Sequence, residues 1–373
     1  MDLQIQEVLL GLLGICFIIQ MVYLLAYQNK LNAYNPLTEL PEAVIPVSVV
    51  ISARNEIENL TQNLPAILNQ NYPDFEVIVV NDCSFDGSAQ LLEELEAQYP
   101  RLKVVTVTET RKFKTGKKFA LTMGIKAAKN DCLLFTDADC VPASDNWIAF
   151  MAANFANPET QIVLGYSPYY RKRGLLNSLI RFETIKTAIN YLSAAMRGNA
   201  YMGVGRNLAY RKELFFSVKG FASHMHIMSG DDDLFVNQNA TPANTVIELH
   251  QDSFIFSEPK TSFGAWGRQK RRHAGAGKLY KAKHKRMLAT DAVSGLLFYL
   301  LFFSCLAAEP AMYIAVSLFI VRWLAQILVY KKQFTTLQGK DFIWYIPIAD
   351  TLYYLYLNIF GLVGTLKKTN QWK

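Results

Sequence analysis

Charge is scarce in this sequence of 373 residues. Asp, Glu, Lys and Arg make up 18% of it, against about 25% in an ordinary soluble domain, which argues against a uniformly soluble enzyme. Cysteine is scarce too. The five cysteines form no Cys-x-x-Cys pair, which removes zinc-ribbon and disulfide-scaffold readings, and reduced thiols suit a cytosolic face. The chain is long enough to build a core without such staples. No Gly-x-Gly-x-x-Gly follows the first candidate strand, and Thr115-Gly116-Lys117-Lys118 lacks the spacing of a phosphate loop. The two commonest nucleotide-binding signatures are therefore absent. What is abundant is apolar: 51% hydrophobic and 13% aromatic residues exclude disorder as the main state. The formal charge, 38 − 31 = +7, points to anionic partners.

The apolar residues are concentrated. Val8 to Tyr27 is long enough to span a bilayer as a helix. Met1 to Glu7 carries no positive charge, so the start does not read as a signal peptide. A second cluster runs from Ala292 to Ala308 and breaks at Glu309-Pro310. Ala311 to Tyr330 follows, interrupted only by Arg322 and closed by Lys331-Lys332. The last run, Phe342 to Gly364, carries Pro347, Asp350 and Tyr353-Tyr354-Leu355-Tyr356. That mixture suits an interfacial or re-entrant helix as well as a span. Buried helices of soluble proteins seldom approach 20 apolar residues, so an integral membrane protein is expected.

Between Pro46 and Arg286 the texture changes. Val47 to Ser52, Phe75 to Val80, Leu102 to Val107 and Cys132 to Phe135 read as short buried strands. Helical stretches at Glu56 to Asn69, Gly87 to Gln98 and Lys118 to Lys129 separate them, which predicts a parallel α/β sheet. Ligands of such sheets bind beyond the carboxyl ends of the strands. There stand Ala53-Arg54-Asn55-Glu56, Asn81-Asp82-Cys83-Ser84-Phe85-Asp86-Gly87 and Thr136-Asp137-Ala138-Asp139.

Asp137 and Asp139 are alternate residues, which point the same way in an extended segment. Two carboxylates facing one hard cation, with a diphosphate completing the octahedron, suit Mg2+ or Mn2+. Such an ion would neutralise a departing diphosphate. Asp82 suits the N–H of a uracil-like base, while Asn81, Asp82 and Ser84 equally suit shaping the turn and capping the helix near Asp86. Lys117 and Lys118 at a helix start oppose the helix dipole, which favours a phosphate-binding role. Asp231-Asp232-Asp233 packs three acids together. Like charges raise at least one pKa, as a general base requires, although acids also stabilise a helix N-terminus. His224-x-His226 has no third ligand and reads as structural. Gly203 and Gly205 suit a loop near an acceptor or an ordinary loop, and Gly174 to Arg197 reads as an amphipathic helix able to lie on the membrane. From Arg268 to Arg286 there are nine Lys or Arg and no acid. Anionic lipid headgroups explain the later part of this strip; Gln269, Arg272 and His273 fit a diphosphate leaving group better.

In order and spacing these pieces resemble the family 2 glycosyltransferases, inverting enzymes with a GT-A fold. The matching residues are Ala53-Arg54-Asn55-Glu56, Asn81-Asp82-x-Ser84-x-Asp86-Gly87, Gly116-Lys117-x-x-Ala120-Leu121, Asp137-x-Asp139, Gly230-Asp231-Asp232 and Gln269-x-x-Arg272. They span Pro46 to His273. The resemblance implies that Ala53, Arg54, Glu56, Asp82, Ser84, Lys117 and Asp137 hold the nucleotide. It implies that Asp139 with Asp137 holds a divalent metal, Mg2+ or Mn2+, and the diphosphate. Asp232 becomes the general base with Asp231 beside it, and Gln269, Arg272 and His273 serve the diphosphate and acceptor. Processive synthases of the cellulose, hyaluronan or poly-N-acetylglucosamine type usually carry Gln-x-x-Arg-Trp; here His273 replaces the Trp.

The expected plan is a membrane helix in 1–30, a cytoplasmic GT-A domain in 46–260, a basic amphipathic segment in 261–290, two or three membrane helices in 291–364 and a basic tail in 365–373. The expected activity is a non-processive transfer from a nucleotide sugar, a UDP-sugar first, to a lipid or glycolipid in the inner cell membrane, with the polymer synthase as the alternative. A catalytically silent scaffold and a nucleic-acid-binding protein rank lower. The acidic residues are intact, and the cations lie beside the spans without a nucleic-acid-reading motif.

Overall fold

A computed structural model of the chain describes residues 3–37, 40, 44–108, 116–227, 229–307, 309 and 311–366, with the side chains of 3, 273, 274 and 362–366 excepted. Thr115, Pro310 and the expected basic tail from Lys367 on lie outside the described residues. Helix α1 (Leu3–Val22) runs on through a π-helical turn at Tyr23–Tyr27. Then β1 (Val47–Ala53), α2 (Ile57–Leu68), β2 (Phe75–Asp82), α3 (Ser88–Gln98), β3 (Leu102–Val107), α4 (Lys117–Ala127) and β4 (Cys132–Asp137) alternate. Next come β5 (Cys140–Pro142), α5 (Trp147–Ala153), β6 (Ile162–Leu164) and the long α6 (Leu175–Met196). They are followed by β7 (Leu208–Arg211), α7 (Lys212–Ser217), α8 (Asp233–Asn239), β8 (Thr245–Ile247) and β9 (Ile255–Ser257). The last four helices are α9 (Phe263–Gly277), α10 (Ala282–Cys305), α11 (Ala311–Thr336) and α12 (Ile346–Leu366).

Two compact units result. One comprises Asn35–Tyr170 and Gly198–Lys260. The other comprises Met1–Tyr34, Arg171–Arg197 and Thr261–Lys368. Within the expected 46–260 stretch, therefore, Arg171–Arg197 groups with the helices.

The first unit is built on a seven-stranded sheet in the order β3-β2-β1-β4-β7-β6-β8. Strands β1 to β4 are parallel, as expected, because helical crossovers join them. Beyond β4 the expected parallel sheet becomes mixed: β7 runs antiparallel to both β4 and β6, while β8 pairs parallel with β6. The physical reason is the connection. Strands β6 and β7 are joined through α6, which groups with the other helices instead of covering the sheet as a crossover. Strand period decides the two faces. Val47, Val49, Ile51, Val77 and Val79 pack with Leu60 and Leu64 of α2 and Trp147 and Met151 of α5. On the other face Gly124 lets α4 approach closely, since an added Cβ would lie 2.7 Å from Val50 Cγ1 and 2.9 Å from Val80 Cγ2. Each buried aliphatic side chain contributes about 1.5–3 kcal/mol.

Among the described residues, the second unit holds three helices long and apolar enough to cross a membrane: Gln4–Ala33, Ala282–Cys305 and Ala311–Thr336. The second starts ten residues before the expected apolar cluster, inside the basic strip. Helix α6 is present where a surface amphipathic helix was expected, but it is buried on most sides and carries Arg181, Glu183 and Lys186 inward. Their partners explain this. Arg181 makes a bidentate pair with Asp341, at 2.7 and 2.9 Å. Lys186 Nζ lies 3.1 Å from Asp350 Oδ1 and donates to the Tyr330 hydroxyl at 2.8 Å. Asp350 Oδ2 also accepts from Arg322 Nη2 at 2.8 Å, Tyr299 at 2.9 Å and Gln326 at 3.0 Å. Gln20 accepts from Arg322 and Tyr354, at 2.9 and 3.0 Å. Tyr354 in turn donates to Asp291 at 3.0 Å. Asp350, anomalous in an apolar run, is thus the hub of a buried polar network.

Candidate active site

The carboxyl ends of β1 and β2 are laced together. Asn55 and Cys83 follow these strands with φ of 54° and 55°, a left-handed conformation that Asn tolerates better than most residues. The Asn55 N–H donates to Ser84 Oγ at 2.9 Å, and Asn55 Oδ1 accepts from the Phe85 N–H at 2.9 Å. Asp86 accepts from the Ile57 and Ser88 N–H groups, at 3.0 and 3.1 Å. These bonds hold its carboxyl below the usual range against the opposing effect of burial. It thus takes the first N–H of α2 and of α3, the helices that follow the two strands. Within this frame Ala53 is buried, and Arg54 lies 3.8 Å from the buried Asp82. Glu56 accepts from Asn59 at 2.5 Å.

A second cluster forms where β4, α4 and α8 end or begin. Lys117, the first residue of α4, lies 2.9 Å from Asp137 Oδ1 and 3.1 Å from Asp231 Oδ2. Burial opposes its charge, but Asp137, Asp231 and Asp232 outweigh it and raise its pKa, so the ammonium persists. Lys118 differs from its neighbour. It turns inward and donates to the carbonyls of His224 and Ile227, the second at 2.7 Å. Burial lowers its pKa to about 8. It supports the segment leading to the acids, which corrects its expected phosphate contact.

Asp232 caps α8: its Oδ1 accepts from the Asp233 N–H at 2.7 Å. Its Oδ2 accepts from the Gly205 N–H at 2.8 Å. A side chain at 205 would crowd this carboxylate, because an added Cβ would lie 3.1 Å from Oδ2. Gly230, at φ +95°, makes the turn into the acidic run. Burial first, and then Asp231, push the Asp232 pKa up to about 6, against Lys117 and the two N–H donors. The expected base-like shift is therefore present, and burial contributes more to it than the neighbouring charge.

Asp139 does not continue β4. The chain turns at Ala138 and Asp139 before β5, which corrects the extended geometry expected for the pair. Asn63 of α2 holds this turn by donating to the Ala138 carbonyl at 3.0 Å, and Cys140 Sγ donates to Asp139 Oδ1 at 3.4 Å. The donors fit a hard cation. They are carboxylate oxygens, and Asp137 already takes a cation, the Lys117 ammonium. Among the described residues no group of three or more His, Cys, Asp or Glu forms a ready cage, so substrate oxygens would have to complete the coordination shell.

Gln269 and Arg272 lie on α9 of the helical unit; the His273 side chain lies outside the described residues. Ser262 caps α9. Trp266 packs edge-on against Tyr356 and Phe360, and Lys270 pairs with Glu183 of α6. The structure thus brings together Asp137, Lys117, Asp231 and Asp232, and separately Arg54 and Asp82. Sequence reasoning passed over Arg206, whose guanidinium lies 4.4 Å above the Tyr169 ring and feels Asp137 and Asp139. The only available signal was its place after Gly205.

A half-parallel α/β sheet with acids at the strand ends defines a glycosyltransferase of GT-A architecture. Residues 48–217 match the profile of glycosyl transferase family 2, and residues 133–360 match glycosyl transferase family group 2. The chain belongs to the family 2 glycosyltransferases. It is 26% identical over 220 residues to glycosyltransferase AglE of Haloferax volcanii, covering 58% of this chain and 68% of that protein. It is 30% identical over 138 residues to the poly-beta-1,6-N-acetyl-D-glucosamine synthase of Staphylococcus epidermidis, covering 37% of this chain and about a third (32%) of that protein. Among solved structures it is similar to the mannosyltransferase PcManGT of Pyrobaculum calidifontis, in complex with GDP-Man and Mn2+. That likeness has a TM-score of 0.59 at 19% identity and covers 94% of this chain and 99% of the other.

Proposed function

We propose that the chain transfers a single sugar from a nucleotide-diphosphate sugar, a UDP-sugar first, to a hydroxyl of a membrane lipid or glycolipid, with inversion at the anomeric carbon. The observation that carries this reading is the Lys117–Asp137–Asp231–Asp232 cluster. It pairs a cation with an ionised carboxylate and sets beside them a buried acid with a pKa of about 6. Asp232 is the general base that takes the acceptor proton, and its orientation is fixed by the Gly205 and Asp233 N–H groups. Asp231 keeps Lys117 in place and raises the Asp232 pKa. Arg54, Asp82, Ser84, Glu56 and the end of β1 at Ala53 hold the nucleotide. Asp139 with Asp137 would hold Mg2+ or Mn2+, which supplies charge neutralisation for the departing diphosphate. Gln269, Arg272 and His273 serve the same leaving group from α9.

The domain plan supports a cytoplasmic catalytic part, since nucleotide sugars are cytosolic and the strip from Lys278 to Arg286 satisfies the positive-inside rule. A processive synthase is the second reading. The poly-N-acetylglucosamine relative favours it, and His273 in place of Trp weighs against it. Full-length protein incubated with labelled UDP-sugars and a lipid extract should give a lipid bearing one added sugar. A ladder of long polysaccharide would overturn the proposal.

A further inference from the structure

Arg206 holds hydrogen-bonding capacity that the folded chain does not use. Its Nη2 reaches the Ser167 carbonyl only at 3.4 Å, and its Nη1 is buried with no partner. Among the described residues it makes no ion pair. A guanidinium is always charged and offers five donors, and a buried donor left unmade is costly, more so when charged. Yet the position is firmly built. The ring of Tyr169 lies under the guanidinium at 4.4 Å. The next residue, Asn207, is fully buried and bonds to the Tyr166 and Ser253 carbonyls, both at 2.8 Å, and to Trp147 Nε1 at 3.0 Å. The preceding residue, Gly205, holds Asp232. Burial opposes the charge on Arg206; Tyr169, Cys140, Asp139 and Asp137 favour it. This cation therefore stands between the turn proposed to hold the diphosphate and the loop that orients the proposed base. The anomeric carbon of a donor must lie between those same two groups.

We propose that Arg206 is a donor-binding residue that takes an anionic oxygen at the sugar-proximal end of the donor: the β-phosphate or, in an acidic sugar, the ring carboxylate. This rests on the nucleotide-sugar reading above. Both sources offer a pair of anionic oxygens that a guanidinium fork can bond bidentately.

The test is binding of UMP, UDP, UDP-glucose and UDP-glucuronate to the full-length protein with Mg2+ present, by calorimetry, for wild type, Arg206→Met and Arg206→Lys. If the β-phosphate is the ligand, Arg206→Met weakens UDP roughly 10- to 100-fold and leaves UMP unchanged, with Arg206→Lys between. If the ring carboxylate is the ligand, wild type prefers UDP-glucuronate to UDP-glucose by a similar factor and Arg206→Met abolishes that preference alone. Equal effects on UMP and UDP, or none on any ligand, overturn the assignment. Should Arg206→Met fail to fold, Arg206→Lys and Tyr169→Leu carry the same comparison. If wild type binds UDP and Arg206→Met matches it throughout, only Arg206 is misassigned. If wild type binds no nucleotide of this set, nor GDP, the donor reading itself falls.

Discussion

Each unit of this protein contains a cluster of buried charge, and the two clusters are built differently. In the helical unit Asp350 meets two cations, Lys186 and Arg322, and two further donors, Tyr299 and Gln326. Asp350 Oδ1 faces the Lys186 ammonium at 3.1 Å and Oδ2 takes the other three donors, so opposite charge or a donor meets both oxygens. In the sheet unit the charges stand at strand and helix ends, Lys117 bridges two carboxylates, and Asp232 keeps a pKa of about 6. Arg206 retains an unused donor beside them. Burying an ion pair costs desolvation that its attraction only partly offsets. A saturated network recovers most of that cost as fixed geometry between helices. An unsaturated one leaves the cost standing until a ligand arrives. The contrast separates a charge cluster that serves architecture from one that serves chemistry.

Four substitutions would break or sharpen this contrast. The largest effect is expected for Asp350→Asn, which leaves Lys186 and Arg322 without their shared carboxylate. About 3–5 kcal/mol of stability should be lost, read as a fall in melting temperature of detergent-solubilised protein. Lys186→Met should cost less, because Asp350 keeps Arg322. If Asp350→Asn melts with the wild type, the helical cluster is not architectural. Asp232→Asn should lower kcat by about 10²- to 10⁴-fold and change the melting temperature far less than Asp350→Asn. The sign supports this. The folded pKa of Asp232 lies above the unfolded value, so its contribution to stability is full below the unfolded pKa and lost as pH rises through about 6. Its charge at neutral pH is a cost that the amide removes. The smallest effect is expected for pH dependence. The base is lost as pH falls through about 6, so kcat/KM should show an acid limb there, and Asp231→Asn should move that limb to lower pH. A limb that stays in place would remove Asp231 from the cause.

The strands β1 to β4 were legible because apolar runs of four to six residues, rich in β-branched residues in the first three, are separated by helical spacing and leave few alternatives. The acids were legible because they follow those strands. The later half of the sheet was not: β6 and β8 are three residues each, too short for a periodic signal. Nor was the nature of α6, since Lys186 and Asp350 explain one another only across 164 positions (350 − 186). Lys117 and Lys118 show the limit of motif reading. Adjacent on a helix, they point about 100° apart, and one faces the acids while the other props the loop beneath them.

The route of the chain has a consequence for biosynthesis. Helix α6 leaves the ribosome with Arg181, Glu183 and Lys186 already in place, but Asp341 and Asp350 follow some 160 residues later. At about 5–20 residues per second that interval is roughly 8–30 s. During it Arg181 and Lys186 lack their carboxylates, whereas Glu183 gains Lys270 after 87 residues. Translation that stops before residue 341 leaves Arg181 and Lys186 without their carboxylates, so the pairing of α6 waits on segments made long after Lys117 and Asp232.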